Sequence, residues 1–592
     1  MTRTHGWLTF SAIGRIALLV VGIAWMDACT LEEDAPPPRH TADAVEADAA
    51  SDSVVVVPPE CGDGTCDPGE DCLTCTEDCA CAGLAATPPM GWNSWNLFAC
   101  DIDEALVMGM ADAMVETGMK DVGYEYVNLD DCWQVDRDAD GVIVADPERF
   151  PGGIAALADY VHAQGLKLGV YTCVGALTCE DRPGSFGHEA QDMATYAEWG
   201  VDFVKVDWCY SDNMDAAERY GLFRDGILAS GREILLSICN WGVQEPWVWG
   251  PQTGQLWRTS LDIKDGFLPL MYNVMGVESL AAFAGPGRWN DPDMLEVGNG
   301  GMSDDLSQAH MGLWAMFAAP LIAGNDLRDM SAATLGILTN PEVLAVDQDP
   351  AGLQAVLLRV TDDVRVYARP LNEAGLRAVL FFNTSQDAPR SASISWSELG
   401  LFQGTGSVRD LFAREDLGAF VDRFEAEVPP TGAVMVTVRG TDPVPGPGIS
   451  EVSEMPWRYS TAFEGTVARD HAFVPAGEEP GPVLSLGGEV HGTGLGVPGG
   501  SVVVAHLGGR CDLFEATVGL TGNAGPEGSV VFEVWGDGTL LWESDVLSPD
   551  SAPVPVQVDV TGRRDVKLVT TPAGDSTVGD RAAWADARVH CE

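Results

Sequence analysis

Eight short apolar segments, most closing on a polar residue and most separated by helix-like stretches, constrain this chain more than any other feature. They cover residues 90–96, 124–130, 166–172, 202–207, 233–240, 256–262, 287–291 and 320–326. Helix-like stretches at 103–117, 153–164, 190–199 and 215–230 lie between them. The alternation predicts a (β/α)8 TIM barrel over residues 84–351. A doubly wound parallel sheet is the rival, and it leaves so many polar strand tips unexplained.

Two of those tips carry chemistry. In Val201-Asp202-Phe203-Val204-Lys205-Val206-Asp207-Trp208-Cys209, apolar Phe203, Val204 and Val206 suit a buried parallel strand. That strand ends in a lysine and an aspartate, where barrel enzymes place catalytic groups. Leu256-Trp257-Arg258-Thr259-Ser260-Leu261-Asp262 ends the same way. Either aspartate alone reads as a loop cap or an ion-pair partner. The two together, each beside a cation, suit glycoside hydrolysis by paired carboxylates.

At 592 residues the chain is long enough for two to four domains. Its 33 basic and 89 acidic residues give a net charge of −56. Such a surface repels nucleic acid and anionic membranes, so neither is an expected partner. A saline setting would screen the self-repulsion, and an ordinary acidic secreted protein is the plainer reading.

Residues 1–29 read as an export signal: Arg3 and Arg15 precede an apolar run over 16–25, too short to span a membrane. Cys29 follows directly, so lipidation there, giving membrane attachment, and simple cleavage with secretion both stay open. Residues 30–60, rich in Asp, Glu, Ala and Pro, read as a solvated tether. Residues 61–82 form a small cysteine-rich module holding Cys61, Cys66, Cys72, Cys75, Cys79 and Cys81. A disulfide knot fits an oxidising compartment, with zinc as rival and calcium at Asp63, Asp67 and Asp71 as a further reading.

From about Gly352 the helical signal stops. Strand-like stretches at 355–367, 376–383 and 433–438 predict an antiparallel β-domain over 352–440. A Pro/Gly linker is expected at 441–454. Stretches at 502–507, 513–520, 529–535 and 566–570 predict a β-sandwich over 455–592, with Cys511 and Cys591 as candidates to tie it.

Five motifs stand in order: Pro89-Met90-Gly91-Trp92-Asn93-Ser94-Trp95, Asn128-Leu129-Asp130-Asp131-Cys132-Trp133, Pro183-Gly184-Ser185, Lys205-Val206-Asp207-Trp208-Cys209, and Gly285-Pro286-Gly287-Arg288-Trp289-Asn290-Asp291-Pro292-Asp293-Met294. Together they resemble glycoside hydrolase family 27, the α-galactosidases and α-N-acetylgalactosaminidases of clan D, from about residue 84 to 439. The resemblance implies a retaining double displacement without cofactor or metal, with Asp207 as nucleophile and Asp262 as acid/base. Lys205 would keep the nucleophile ionised, and the neighbouring anion would raise the pKa of the acid. Retention needs the two carboxyls roughly 5 Å apart.

The same resemblance implies that Asp130 and Asp131 bind the 4- and 6-hydroxyls of galactose, with Lys205 bonding sugar hydroxyls. Arg258 would contact the 2- and 3-position side, Trp95 would form an apolar floor, and Tyr171 would line the pocket. Asp293 and Met294 would stand behind them. Trp92 and Trp289 read equally as core. Disulfides Cys100–Cys132 and Cys179–Cys209 are implied, with Cys173 and Cys239 as free buried thiols. The departure is Ser237-Ile238-Cys239-Asn240-Trp241-Gly242, where animal α-galactosidases carry a glutamate at the position of Asn240. Asn240, with Trp241 beside it, suits a 2-hydroxyl, so a galactose-containing carbohydrate is the expected partner. N-acetylgalactosamine and β-L-arabinopyranose remain alternatives, as does a catalytically silent sugar-binding protein. The C-terminal region resembles a carbohydrate-binding module attached to bacterial glycosidases. Its Trp535, Trp542 and Trp584 either stack on sugars or pack in its core.

Overall fold

The computed structural model describes residues 84–478 and 481–592. The expected signal at 1–29 with Cys29, the tether at 30–60 and the cysteine module at 61–82 lie outside the described residues. Among the described residues no helix is long and apolar enough to cross a membrane.

Eight parallel strands form one curled sheet: β1 Met90–Asn93, β2 Tyr126–Asn128, β3 Lys167–Cys173, β4 Phe203–Asp207, β5 Leu235–Cys239, β6 Leu256–Arg258, β7 Trp289–Asp291 and β8 Leu321–Ala323. Their order is β8-β1-β2-β3-β4-β5-β6-β7. Leu295, just past β7, bridges Ala323 in parallel and joins the two ends. The strands are buried along nearly their whole length, which is why they read as apolar runs rather than alternating ones. Tyr126, Phe203, Leu235, Leu256 and Trp289 pack together at the N-terminal ends of the strands and seal that end.

Register then sets the other end. Cys173 stands beside Asp207, and Asp207 beside Cys239, so three neighbouring tips lie in one row. Tyr171, Lys205 and Ser237 form the row two residues below. Arg258 pairs with Asp291 on β6 and β7.

Two helices that the sequence pattern did not announce, Phe267–Val277 and Asp304–Phe317, complete the outer layer. The second packs against the β-domain, where Gly312 lets Leu380 and Phe412 approach closely. That domain is a six-stranded antiparallel sheet with a small two-stranded one beside it, around Phe381, Trp396 and Phe424. The C-terminal region has two antiparallel sheets facing each other over Phe514, Phe532 and Trp584. The 441–454 stretch, expected as a Pro/Gly linker, is held along its length. Gly448–Glu451 is a strand paired with Arg588–Cys591, and Asp442 is buried in an ion pair with Arg377.

Candidate active site

The strand tips bring the expected residues to one end of the barrel. Asp207 is 7% exposed and fixed at both oxygens. The Trp208 N–H donates to Oδ1 at 2.8 Å, and the Tyr171 hydroxyl donates to Oδ2 at 2.9 Å. Cys179 Sγ lies 3.4 Å from Oδ2. Burial pushes the pKa of Asp207 up and Asp262 adds to this. Lys205, the Trp208 N–H and Tyr171 pull the other way without cancelling it.

Asp130 accepts from Lys205 Nζ at 2.7 Å and from Asn93 Nδ2 at 2.9 Å, both at Oδ2. Asp131 accepts from the Cys132 and Glu180 N–H groups at 2.7 and 3.0 Å. Its pKa is pushed up to about 6, chiefly by burial, with Asp130 adding to the rise. Lys205 sits over the Tyr171 ring at 5.3 Å. Burial opposes its charge, but Asp130, Asp207 and Asp293 hold the proton on.

Arg258 organises the far side. One terminal nitrogen reaches Asp293 Oδ2 at 2.8 Å and Asp262 Oδ1 at 3.1 Å, and the other contacts Cys239 Sγ at 3.6 Å. Asp293 also accepts from the Ile263 N–H at 2.8 Å, which ties it to the loop carrying Asp262. Asp262 itself is the open member of the group, with its side chain 58% exposed. Burial pushes its pKa up, yet Arg258, Lys205 and Lys264 outweigh this and hold it below the ordinary aspartate value. The expected order is therefore reversed. Asp207 is the carboxyl shifted up and Asp262 the one shifted down, because Arg258 reaches the acid more directly than the other carboxylates do.

Asn240 is tied into its own loop. It is fully buried, and its amide donates to the Val243 carbonyl at 2.5 Å, closing a turn. Its Oδ1 is buried without a hydrogen-bond partner. Trp241 is half-buried beside it in a left-handed conformation, φ 58°. Cys132 and Asp293 share that strained region at φ 79° and 89°, as functional loops often do. Met294 is largely buried and Trp95 half-buried. Trp92 and Trp289 are fully buried core residues. Asn93 and Cys239 were not singled out for the site. Asn93 holds Asp130, and Cys239 holds Arg258 in the row of Asp207. Only strand register reveals the latter.

Disulfides join Cys100 to Cys132, Cys179 to Cys209 and Cys511 to Cys591, while Cys173 and Cys239 are free and buried. Among the described residues, Cys179, Asp207 and Cys209 are the one group with metal-ligand spacing. Their sulfurs are bonded to each other and so are not thiolate ligands.

Residues 87–349 match a family profile described as "Alpha galactosidase A". Residues 361–438 match its "C-terminal beta sandwich domain", and 448–590 an "NPCBM/NEW2 domain". A "Probable alpha-galactosidase" of Dictyostelium discoideum is 44% identical over 365 residues, 61% of this chain and 94% of that protein. The chain belongs to the α-galactosidase family, glycoside hydrolase family 27. The "Alpha-galactosidase A" of Cellvibrio japonicus is 50% identical over 319 residues, covering 52% of this chain and 78% of its own. Among solved structures, α-galactosidase I of Mortierella vinacea superposes with a TM-score of 0.59 at 33% identity, over 62% of this chain and all of that one. As a member of the α-galactosidase family the protein is a glycoside hydrolase.

Proposed function

We propose that this enzyme removes terminal α-linked galactose with retention of configuration. The reading is carried by the placement of Asp207 and Asp262 at one mouth, flanked by the Asp130–Lys205 pair and the Arg258–Asp293 pair. The Asp207 carboxylate attacks the anomeric carbon while the Asp262 carboxyl gives its proton to the departing glycosidic oxygen, so the C–O bond breaks and an alcohol leaves. Asp262, now a carboxylate, takes a proton from water, and the resulting hydroxide displaces Asp207 from the anomeric carbon. Tyr171 and the Trp208 N–H orient the nucleophile. A bound sugar would displace water from Asp262 and draw on Arg258, raising the pKa of the acid toward its task.

Asp130 and Asp131 take the 4- and 6-hydroxyls, with Lys205 beside them. Asp131 favours a hexose with a 6-hydroxyl over an arabinopyranose that lacks one, because a buried carboxylate gains from one more donor. With the Asn240 amide nitrogen held by the Val243 carbonyl, Cys239, Trp241 and Arg258 shape the 2-position. N-acetylgalactosamine is the second reading. The three disulfides among the described residues suit an oxidising setting, so the enzyme works outside the cytoplasm.

Assays of purified protein on para-nitrophenyl α-galactoside, α-N-acetylgalactosaminide and β-L-arabinopyranoside, with Asp207→Asn alongside, test this. Dominant release from the α-galactoside, lost in the variant, is expected. Dominant release from either other substrate would replace galactose. Release from none would favour a silent sugar-binding protein.

A further inference from the structure

The Trp95 segment is held from two sides. On one side, Asn93 Oδ1 accepts the Trp95 N–H at 2.8 Å, and Asn93 Nδ2 donates to Asp130. On the other, Asn96 Nδ2 donates to Glu296 Oε1 at 2.9 Å. Glu296 is 4% exposed, and among the described residues no ion pair reaches it. Its second oxygen accepts from Asn299 Nδ2, and its backbone N–H donates to His310 Nε2 at 3.3 Å. It stands three residues after Asp293, on the segment that bridges β7 to β8 through Leu295. Gly324, just past β8, leaves room for Asn96, whose Cβ would stand 3.1 Å from a methyl placed there.

A buried carboxylate without a cation is unfavourable unless it does something that an apolar residue could not. We propose that Glu296 is a positioning residue for the sugar site, its carboxylate fixing Asn96 and through it the Trp95 indole. One short segment then sets both walls, with Asp293 holding Arg258 on the acid side and Glu296 holding Trp95 on the floor side. This rests on Trp95 being a wall of the sugar site. Glu296 is also placed to titrate. Burial pushes its pKa up to about 7, with Asp265 and Asp293 adding to this against the two amides. The groups that face it are Asp265, Asp293 and His310, the last kept neutral by burial, which brings its pKa down to about 3.

The test compares Glu296→Ala, Glu296→Gln, Asn96→Ala and Trp95→Ala on para-nitrophenyl α-galactoside across the acid-to-neutral range. Glu296→Ala and Asn96→Ala should each raise KM about five- to tenfold, the worth of one ordinary hydrogen bond, with kcat changed by less than about twofold. Combined, they should cost no more than either alone. Glu296→Gln keeps an acceptor for Asn96, so its KM should stay near wild type while an inflection near pH 7 disappears. Folded Glu296→Ala and Asn96→Ala proteins with unchanged KM, beside a raised KM for Trp95→Ala, would overturn this inference alone. Unchanged KM in Trp95→Ala would overturn the reading of the floor as well. If the alanine variants do not fold, Asn96→Ser, which shortens the side chain and loses the bond to Glu296, takes their place, and an unchanged KM there overturns the proposal.

Discussion

Asp442→Asn tests how the C-terminal module is held. Asp442 Oδ1 accepts from Arg377 at 2.5 Å, and Oδ2 from the Gly375 N–H at 2.5 Å, with Arg458 Nε 3.8 Å away. The side chains of Arg377, Asp442 and Arg458 are 1%, 2% and 4% exposed. Arg458 keeps Asp565 at 2.6 Å after the substitution, but Arg377 is left with carbonyls only. Removing one partner of a buried pair costs about 3–5 kcal/mol. Asparagine still accepts one bond, which puts the expected loss near 3 kcal/mol. At roughly 2–4 °C per kcal/mol, the transition that includes this contact should fall by about 6–12 °C in a calorimetric scan. Burial pushes the pKa of Asp442 up, but Arg377 and Arg458 hold it below the ordinary value. Its contribution is therefore present above the unfolded value near pH 3.9 and is lost as pH falls through the lower folded one. The gap between wild type and variant should close on acidification. Arg377→Met with Asp442→Leu should recover much of the loss, since an apolar pair of similar size is near neutral. An Asp442→Asn scan within about 2 °C of wild type, or a double variant worse than the single, would refute the reasoning.

Lys205→Met removes the main cation opposing the raised pKa of Asp207. The acid limb of kcat/KM should move to higher pH, on top of a loss of activity, and an unmoved limb would count against Lys205 as its partner. Asn240→Ala should cost about 1 kcal/mol in denaturant unfolding, because only a turn bond is lost. Its ratio of galactoside to N-acetylgalactosaminide hydrolysis should stay fixed, whereas Trp241→Ala should shift that ratio. Replacing Cys179 and Cys209 together by serine should lower stability by about 2–4 kcal/mol. It should lower kcat more than removal of Cys511 and Cys591 does, since only the former pair borders Asp207.

The barrel was legible because its strands are buried on both faces and stop at polar tips, so apolar runs and their ends stand out. The helix Asp304–Phe317 was not, because eleven of its fourteen residues are buried between barrel and β-domain, leaving no polar face to reveal a period. Phe267–Val277 is apolar almost throughout, with a proline in its first turn. The strand expected over 355–367 is two strands, split at Asp362 and Asp363, which take left-handed conformations that aspartate tolerates. Site chemistry was legible as residue types at strand tips. For Asn240 the residue type was legible, suiting a sugar hydroxyl, while the turn that engages its amide nitrogen was not, because no spacing shows it. The pKa order misled for a related reason. Sequence shows that Arg258 lies four residues before Asp262 but not that its fork closes on that carboxylate.

The docking of the C-terminal module limits what it does for catalysis. Tyr459 donates to the Gln354 carbonyl at 2.8 Å, and Phe463 packs edge-on against Phe283 at 5.4 Å. Phe283 lies on the loop that enters β7, and Gln252, against Gly574, on the loop that enters β6. Such loops lie at the sealed end, opposite the tips that carry Asp207. The expected aromatics are engaged. Trp535 is capped by Lys567 and packs against the cluster of Tyr459, Val502, Val504 and Val569, Trp584 is core, and Trp542 packs against that core. A tethered module raises the local concentration of substrate by swinging its ligand to the pocket. A module held at the far end through Phe463 and Gly574, and to the β-domain through Arg458 and Asp442, has no such freedom. Any sugar it takes holds the enzyme at a fixed standoff, with the catalytic mouth left open to other chains.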